Sequence, residues 1–150
     1  MRRFVTGINE AGRSCFVAVD EVVPGAVGGA GQPDLAILWA TGDGPPPARP
    51  VQTGHHTALQ LNPGAVRMFV VEHAPGTPEA QASAHDRLHH QDALDLIVML
   101  EGTTRMVLDD EEQDLEAGDV CVMNGVDHVT VPGPEGCRMV VVSVGTPPPG

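Results

Sequence analysis

Short apolar runs broken by turn residues at near-even spacing constrain this chain more than any other feature. From the middle of the chain onward, these runs cover residues 57–61, 66–72, 94–100, 103–108, 113–116, 120–123, 126–131 and 138–144. Turn signals such as Asn62-Pro63-Gly64 and Asn124-Gly125 stand between them. No stretch sustains the period of about 3.6 residues that marks an amphipathic helix. Many short strands at regular spacing predict an all-β sandwich or barrel.

The first third of the chain is expected to extend this barrel rather than to form a second domain. Residues 2–8 and 14–19 predict a hairpin and residues 35–41 a third strand. Residues 24–34 are so rich in Gly and Pro that a loop is expected. Because these pieces are too small to bury a core alone, we expect one domain over residues 1–150. Its parts are the N-terminal strands and loops at 1–54, the barrel core at 55–145 and a disordered tail at 146–150.

Composition argues against several classes of function. Aromatic residues make up 3% of the chain and the formal net charge is −12, so no nucleic-acid partner is expected. Three cysteines without a Cys-x-x-Cys pair disfavour a disulfide framework or a zinc ribbon. No apolar run approaches about 18 residues, and none follows the N-terminal arginines. We therefore expect no membrane partner and a cytoplasmic location.

Side chains that can bind a metal ion or move a proton gather between residues 89 and 128. They are His89, Gln91, Asp95 and His128. An extended chain from His89 to Asp95 would span roughly 20 Å, so these residues meet only if the chain folds back near 91–94. The Asn124-Gly125 signal predicts a hairpin that delivers His128 to the same point. Residues 78–90, rich in Ala, Glu and Gln, are the best helical candidate.

The spacing around these residues resembles the two motifs of the cupin superfamily. The pattern His-x-Gln-x-x-x-Asp-x6-Gly runs from His89 to Gly102, and Gly118-Asp119-Val120 is followed by Gly-x-x-His from Gly125 to His128. In cupins the first motif reads His-x-His, a short spacer, Glu, a longer spacer, Gly, and the second contains Gly-x-x-His with a later Asn. Here Gln91 stands at the second His, Asp95 at the Glu and Pro132 at the Asn.

The resemblance covers about residues 66–144 and implies the cupin fold. This fold is a double-stranded β-helix or jelly-roll barrel, here with an N-terminal β extension, and it implies a homodimer with a pocket for one small molecule. By the same resemblance, His89, Gln91, Asp95 and His128 would bind a divalent ion such as Fe, Mn, Ni or Zn. The alternative is a degenerate site in which both histidines are hydrogen-bonded pocket residues and no ion is held.

Three functions are consistent with this site. The first is a lyase or isomerase in which His89, Asp95 and His128 act as general acid and base in a dehydration, decarboxylation or cyclisation. Similar small cupins serve in secondary metabolism, which suggests a small, polyketide-like substrate. The second is a metal-dependent cupin dioxygenase at the same residues, and the third is a non-catalytic domain that binds a small ligand. The fold alone does not decide between them.

Other side chains are expected to line the barrel pocket. Arg67, Phe69 and Met99 are candidate substrate contacts, with Arg67 anchoring an acidic substrate. Since an unpaired buried guanidinium is costly, the simpler expectation is that Arg67 faces solvent or an exterior carboxylate. The apolar filling is expected from Met68, Phe69, Met99, Met106 and Met123. His90 is expected to point away from His89, because neighbours on a strand face opposite ways.

Overall fold

The strands form two antiparallel sheets in the computed structural model, which describes residues 2–8, 14–26, 33–40 and 61–147. Strand β1 (Arg2–Ile8) pairs with β2 (Ser14–Glu21). The second sheet contains β3 (Gly25–Ala26), β4 (Asp34–Ala40), β5 (Val66–His73), β6 (Ala93–Val107), β7 (Glu112–Glu116), β8 (Val120–Asn124) and β9 (Val129–Gly145). Its order is β3-β4-β5-β9-β6-β7, with β8 also paired to β6. The all-β prediction is confirmed.

The two long strands β6 and β9 are the centre of this sheet. They pair with each other along most of their length, β5 flanks β9, and β7 and β8 pair with successive parts of β6. The sequence predicted each long strand as two shorter ones, because Gly and Pro interrupt both apolar runs. At Gly102 the backbone φ is +70°, and a Cβ there would overlap the Gly136 carbonyl. The glycine therefore permits a bulge that bends β6 without ending it.

Side chains that alternate along the strands build the main apolar core. It consists of Val71, Ile97, Met99, Met106, Met123, Cys137, Met139 and Val141, with Phe69 packed against it. Because successive residues of a strand face opposite sides, Met68 cannot share this interior with Phe69. Met68 is 37% exposed, so the prediction that it fills the barrel was wrong. Phe69, Met99, Met106 and Met123 do contribute to the core as predicted.

A second, smaller core fixes the segment that leads into the histidine cluster. Ala84 packs with Val107, Val129 and Val131, and Leu88 joins them. The segment contains α1 (Pro78–Ala82), whose N-terminus is capped by the Thr77 side chain, and a 3₁₀ turn at His85–Arg87. The helix predicted over 78–90 is therefore much shorter than expected. Apolar packing of this segment on β6 and β9 sets where His89 lies.

Three further predictions differ from the structure or fall outside it. Residues 24–34 were expected to be a loop, yet Gly25–Ala26 pairs with the start of β4 as strand β3. The Asn124-Gly125 turn does not close a hairpin, because β8 and the following β9 both pair with β6. The strand predicted at 57–61 lies outside the described residues except for Leu61, which is not in a strand. None of the helices in the described ranges is long and apolar enough to cross a membrane.

Candidate functional site

His89 and His128 form a pair at the edge of the sheet. They make an isolated antiparallel bridge, in which the amide of His89 donates to the His128 carbonyl at 3.1 Å and that of His128 donates to the His89 carbonyl at 3.0 Å. Partners in such a bridge project to the same side. The ring centroids are 4.7 Å apart, with the planes tilted by 48°. His128 is buried at 8% exposure, whereas His89 is exposed. The predicted meeting of two imidazoles is confirmed, although one of them faces water.

Both imidazoles are oriented by the backbone two residues earlier. Nδ1 of His89 lies 3.2 Å from the Arg87 carbonyl oxygen, and Nδ1 of His128 lies 2.8 Å from that of Val126. A carbonyl oxygen only accepts hydrogen bonds, so each Nδ1 carries the proton. In the neutral ring, Nε2 is then the nitrogen that can accept a proton or a metal ion.

Burial keeps His128 in the neutral form. Desolvation lowers the pKa of His128 below its usual value of 6.5, and the nearby His89 lowers it further. The hydrogen bond to Val126 and the charges of Asp95 and Asp127 oppose this pKa shift but do not reverse it. A neutral imidazole near pH 7 is suited to take a proton from a substrate.

A row of buried polar side chains crosses the barrel interior. Arg67 on β5 is in register with Ser143 on β9, which is in register with Asp95 on β6. Their exposed fractions are 3%, 0% and 3%. The Asp95 carboxylate accepts a hydrogen bond from Gln91 Nε2 at 2.9 Å and another from the Ser143 hydroxyl. The carboxylate is thus held on both sides.

Sequence reasoning overlooked Ser143 and misjudged Arg67. Ser143 is the lone polar residue in a run of Val and Met, and strand alternation puts it on the face of Val141 and Met139. Arg67 was expected on the exterior, but its guanidinium lies over the Phe69 ring at 4.7 Å from the centroid. Burial lowers the pKa of Arg67, and the negative charge of Asp95 opposes that change. An anionic neighbour inside the barrel explains how a buried cation is tolerated.

The four residues predicted to bind a metal do not converge as a metal site in this arrangement. Both carboxylate oxygens of Asp95 already accept hydrogen bonds, one of them from Gln91. Across the described ranges, no three His, Cys, Asp or Glu side chains are grouped so that they could hold one ion. The two Nε2 atoms alone would be a weak donor set. The metal site stays a prediction, and we derive no chemical step through it.

The histidines beside the pair take no part in it. His85 and His90 are exposed, and His90 Nε2 lies 3.6 Å from the Asp92 carboxylate at the protein surface. His90 therefore points away from the site, as alternation predicts. It offers a matched control for substitutions at His89.

Comparison with known proteins identifies the fold. No protein-family model and no curated protein matches the chain. The structure of KdgF from Halomonas sp. is 15% identical and aligns over 81% of this chain and 87% of its own, with a TM-score of 0.52. An RmlC-like cupin from Shewanella frigidimarina NCIMB 400 is also 15% identical and aligns over 84% and 85%, with a TM-score of 0.51. Both likenesses extend over most of each chain, and this chain has the fold of a small cupin domain.

Proposed function

We propose that this chain is a small-molecule lyase or isomerase that moves a proton at the His89–His128 pair. The reaction would be a dehydration, decarboxylation or cyclisation of a small, polyketide-like substrate. The observation that carries the proposal is the facing pair of imidazoles, 4.7 Å apart, each with Nδ1 bound to a backbone carbonyl. This leaves two proton-accepting Nε2 atoms at one place.

His128 is the proposed base. Its neutral Nε2 would take a proton from a carbon next to a carbonyl, and the electron pair left behind would form an enolate. The charge of Asp95 raises the proton affinity of His128, so it would stabilise the imidazolium as it forms. In a dehydration the imidazolium would then give its proton to the departing hydroxyl, and in an isomerisation to another carbon. The ring is neutral again at the end of either sequence.

Arg67, Phe69 and His89 have supporting roles in this scheme. The Arg67 guanidinium is the buried cation of the interior row and would stabilise negative charge on the enolate oxygen. Phe69 and the almost fully buried Met99 would form the apolar floor beneath the substrate. His89 is exposed, so it would exchange protons between the site and water. Asp95 would act through His128 rather than on the substrate.

Deuterium exchange provides a direct test. The chain is incubated in D₂O with a panel of β-hydroxy ketones and β-keto acids, and loss of the acidic C–H signal is followed by proton NMR. We expect His128→Gln to slow exchange or turnover by about 10²-fold or more. His90→Gln is the matched control and should leave the rate unchanged. Full turnover in both His89→Gln and His128→Gln would overturn the proposal.

Two additional measurements separate the alternative functions. Oxygen uptake that depends on added Fe(II) would favour a cupin dioxygenase. The metal content of untagged wild-type protein would be compared with that of a variant that lacks the His128 side chain, and equal trace metal in both would count against a metal site. A panel compound that binds and is returned without deuterium would favour a non-catalytic ligand-binding domain.

A further inference from the structure

A cavity of about 670 Å³ opens beside His89. It lies between the chain that follows β5, the short helix α1 and the first part of β9. Its lining residues are Pro33, His73, Ala74, Pro75, Gly76, Thr77, Ala80, Arg87, His89, Val129, Thr130 and Pro132. The volume falls in the range of pockets that hold a small organic molecule. A ligand here would touch the exposed imidazole of the site.

The charge of this cavity is opposite to that of the chain. The protein has 20 acidic and 8 basic residues, yet the lining includes one arginine, two histidines and no carboxylate. Two other cavities on the described part of the chain follow the overall composition. One contains Asp114, Glu116 and Asp119, and the other contains Glu72, Glu101 and Glu135. A strongly acidic protein repels anions, so a pocket free of carboxylates is where an anion meets least repulsion.

Arg87 is held in place before any ligand arrives. Its Nε donates to the Ser83 carbonyl at 3.4 Å, and Nη2 donates to the carbonyl of Ala80, which also lines the cavity. A guanidinium has five N–H donors, so these two bonds orient it without using all of them. Because a fixed guanidinium loses little freedom on binding, it suits two-point recognition of a carboxylate.

Thr130 adds a neutral hydroxyl donor to the same wall, just before the bent part of β9. Thr77 is the N-cap of α1 and also lines the cavity. Its hydroxyl accepts from the Ala80 amide and donates to the Glu79 carboxylate, so it fixes the start of the helix rather than serving as a free donor. Hydroxyl and guanidinium donors around one cavity match the oxygen acceptors of an organic acid.

We infer that this cavity binds the carboxylate of a small organic acid at Arg87, with the carbon skeleton directed toward His89. The inference deepens the proposed function. Only the identification of this acid as the substrate rests on that function. The binding of the anion itself does not depend on catalysis. Arg87 is a positioning residue in this scheme.

Malonate and its neutral counterpart malonamide are the probes. Each is titrated into ¹⁵N-labelled protein at constant ionic strength, and amide shifts are followed by NMR. Malonate should give saturable shifts at Thr77, Ala80, Arg87 and Thr130, whereas malonamide should not. Arg87→Gln should weaken malonate binding by about tenfold or more.

Arg105→Gln is the matched control. Arg105 is also partly exposed, but it lines another cavity and is paired with Asp114 and Glu112, so its loss should leave malonate affinity unchanged. Arg87→Gln also removes the hydrogen bonds from Arg87 to the helix backbone, so a second variant is needed. Arg87→Lys keeps the positive charge but lacks the paired N–H groups of the guanidinium, and it should recover part of the malonate affinity. Unchanged shifts of core amides show that each variant is folded.

Several outcomes would overturn the inference. These are equal shifts with malonate and malonamide, equal weakening by Arg105→Gln, or no saturable binding up to 100-fold molar excess. The two proposals fail separately. Malonate binding that survives in His128→Gln while no carbon acid exchanges deuterium would sink the proposed reaction and leave the anion site standing.

Discussion

Removing the hydroxyl of Ser143 tests the row of buried polar side chains, Arg67, Ser143 and Asp95, by deleting a single oxygen atom. Ser143 is fully buried and donates to Asp95, which is itself 3% exposed. Ser143→Ala leaves almost no cavity, so the expected cost comes from the lost hydrogen bond to a charged acceptor. That loss costs about 1.5–3 kcal/mol. With a urea m-value of about 1–3 kcal/mol/M, the unfolding midpoint should fall by about 1 M.

Ser83→Ala is the control for this measurement. The Ser83 hydroxyl also donates a hydrogen bond, to the Glu79 carbonyl at 3.0 Å, but at the exposed C-terminal cap of α1. Its loss should cost about 0.5 kcal/mol or less. If Ser143→Ala and Ser83→Ala shift the urea midpoint equally, Ser143 does not support Asp95 and the interior row has been described wrongly.

Asp95→Asn extends the same reasoning to charge. Burial lowers the pKa of the Arg67 guanidinium, and the negative charge of Asp95 opposes that change. A neutral amide removes this favourable charge and weakens the two hydrogen bonds that Gln91 and Ser143 donate to the carboxylate, each worth about 1.5–3 kcal/mol. Asp95→Asn should therefore destabilise the fold more than Ser143→Ala. In the double variant Arg67→Met/Asp95→Asn the cost should be well below the sum of the two single costs.

Three further outcomes are expected. Burial lowers the pKa of His73 below 6.5. The unfolded chain therefore binds the proton at a higher pH than the folded chain does, and stability falls as the pH drops below about 6.5. Urea midpoints measured from pH 8 to 5 should decline less in His73→Gln than in the wild type. Gly102→Ala should lower thermal stability clearly, because that residue has positive φ and no room for a Cβ, whereas Gly25→Ala, with open space around it, should not. The implied homodimer stays a prediction, and we expect it to use the uncharged aliphatic outer face of β6 and β8, where Val122 is 61% exposed. Light scattering should then show a dimer that Val122→Glu, but not Val23→Glu, converts to monomer.

The local pattern was sufficient to predict most strands and the meeting of the two histidines. The apolar runs at 66–72, 113–116 and 120–123 became β5, β7 and β8 within a residue of the predicted ends. His89 and His128 meet because their backbones form an antiparallel bridge directly before the start of β9. The local pattern could not predict which strands pair with each other. Nothing around Asn124 reveals that the next strand will pair with β6 rather than with β8, since that choice depends on contacts far apart in the chain.

The sequence pattern also did not predict which face of each strand is buried. Alternation tells which residues share a face but not which face is buried, so Arg67 was expected outside the barrel. In the interior its charge is favoured by Asp95, which lies 28 positions away in the sequence. Ser143 could have been found by the same rule, because a lone hydroxyl on an apolar strand face needs a buried acceptor. The acceptor becomes visible only when the register of β6 and β9 is known.

That register links the fold to the site. Asp95 and Ser143 face each other because β6 and β9 are paired as they are, and a slip of one residue would turn one of them to the outer face. The close approach of Gly102 to the Gly136 carbonyl lies within the same pairing and leaves no room for a side chain there. Gly102→Ala should therefore loosen the interior row as well as the barrel. If Gly102→Ala weakens the hydrogen bond from Ser143 to Asp95, Ser143→Ala should cost less in the Gly102→Ala background than in the wild type, whereas its cost should be unchanged in the Gly25→Ala background.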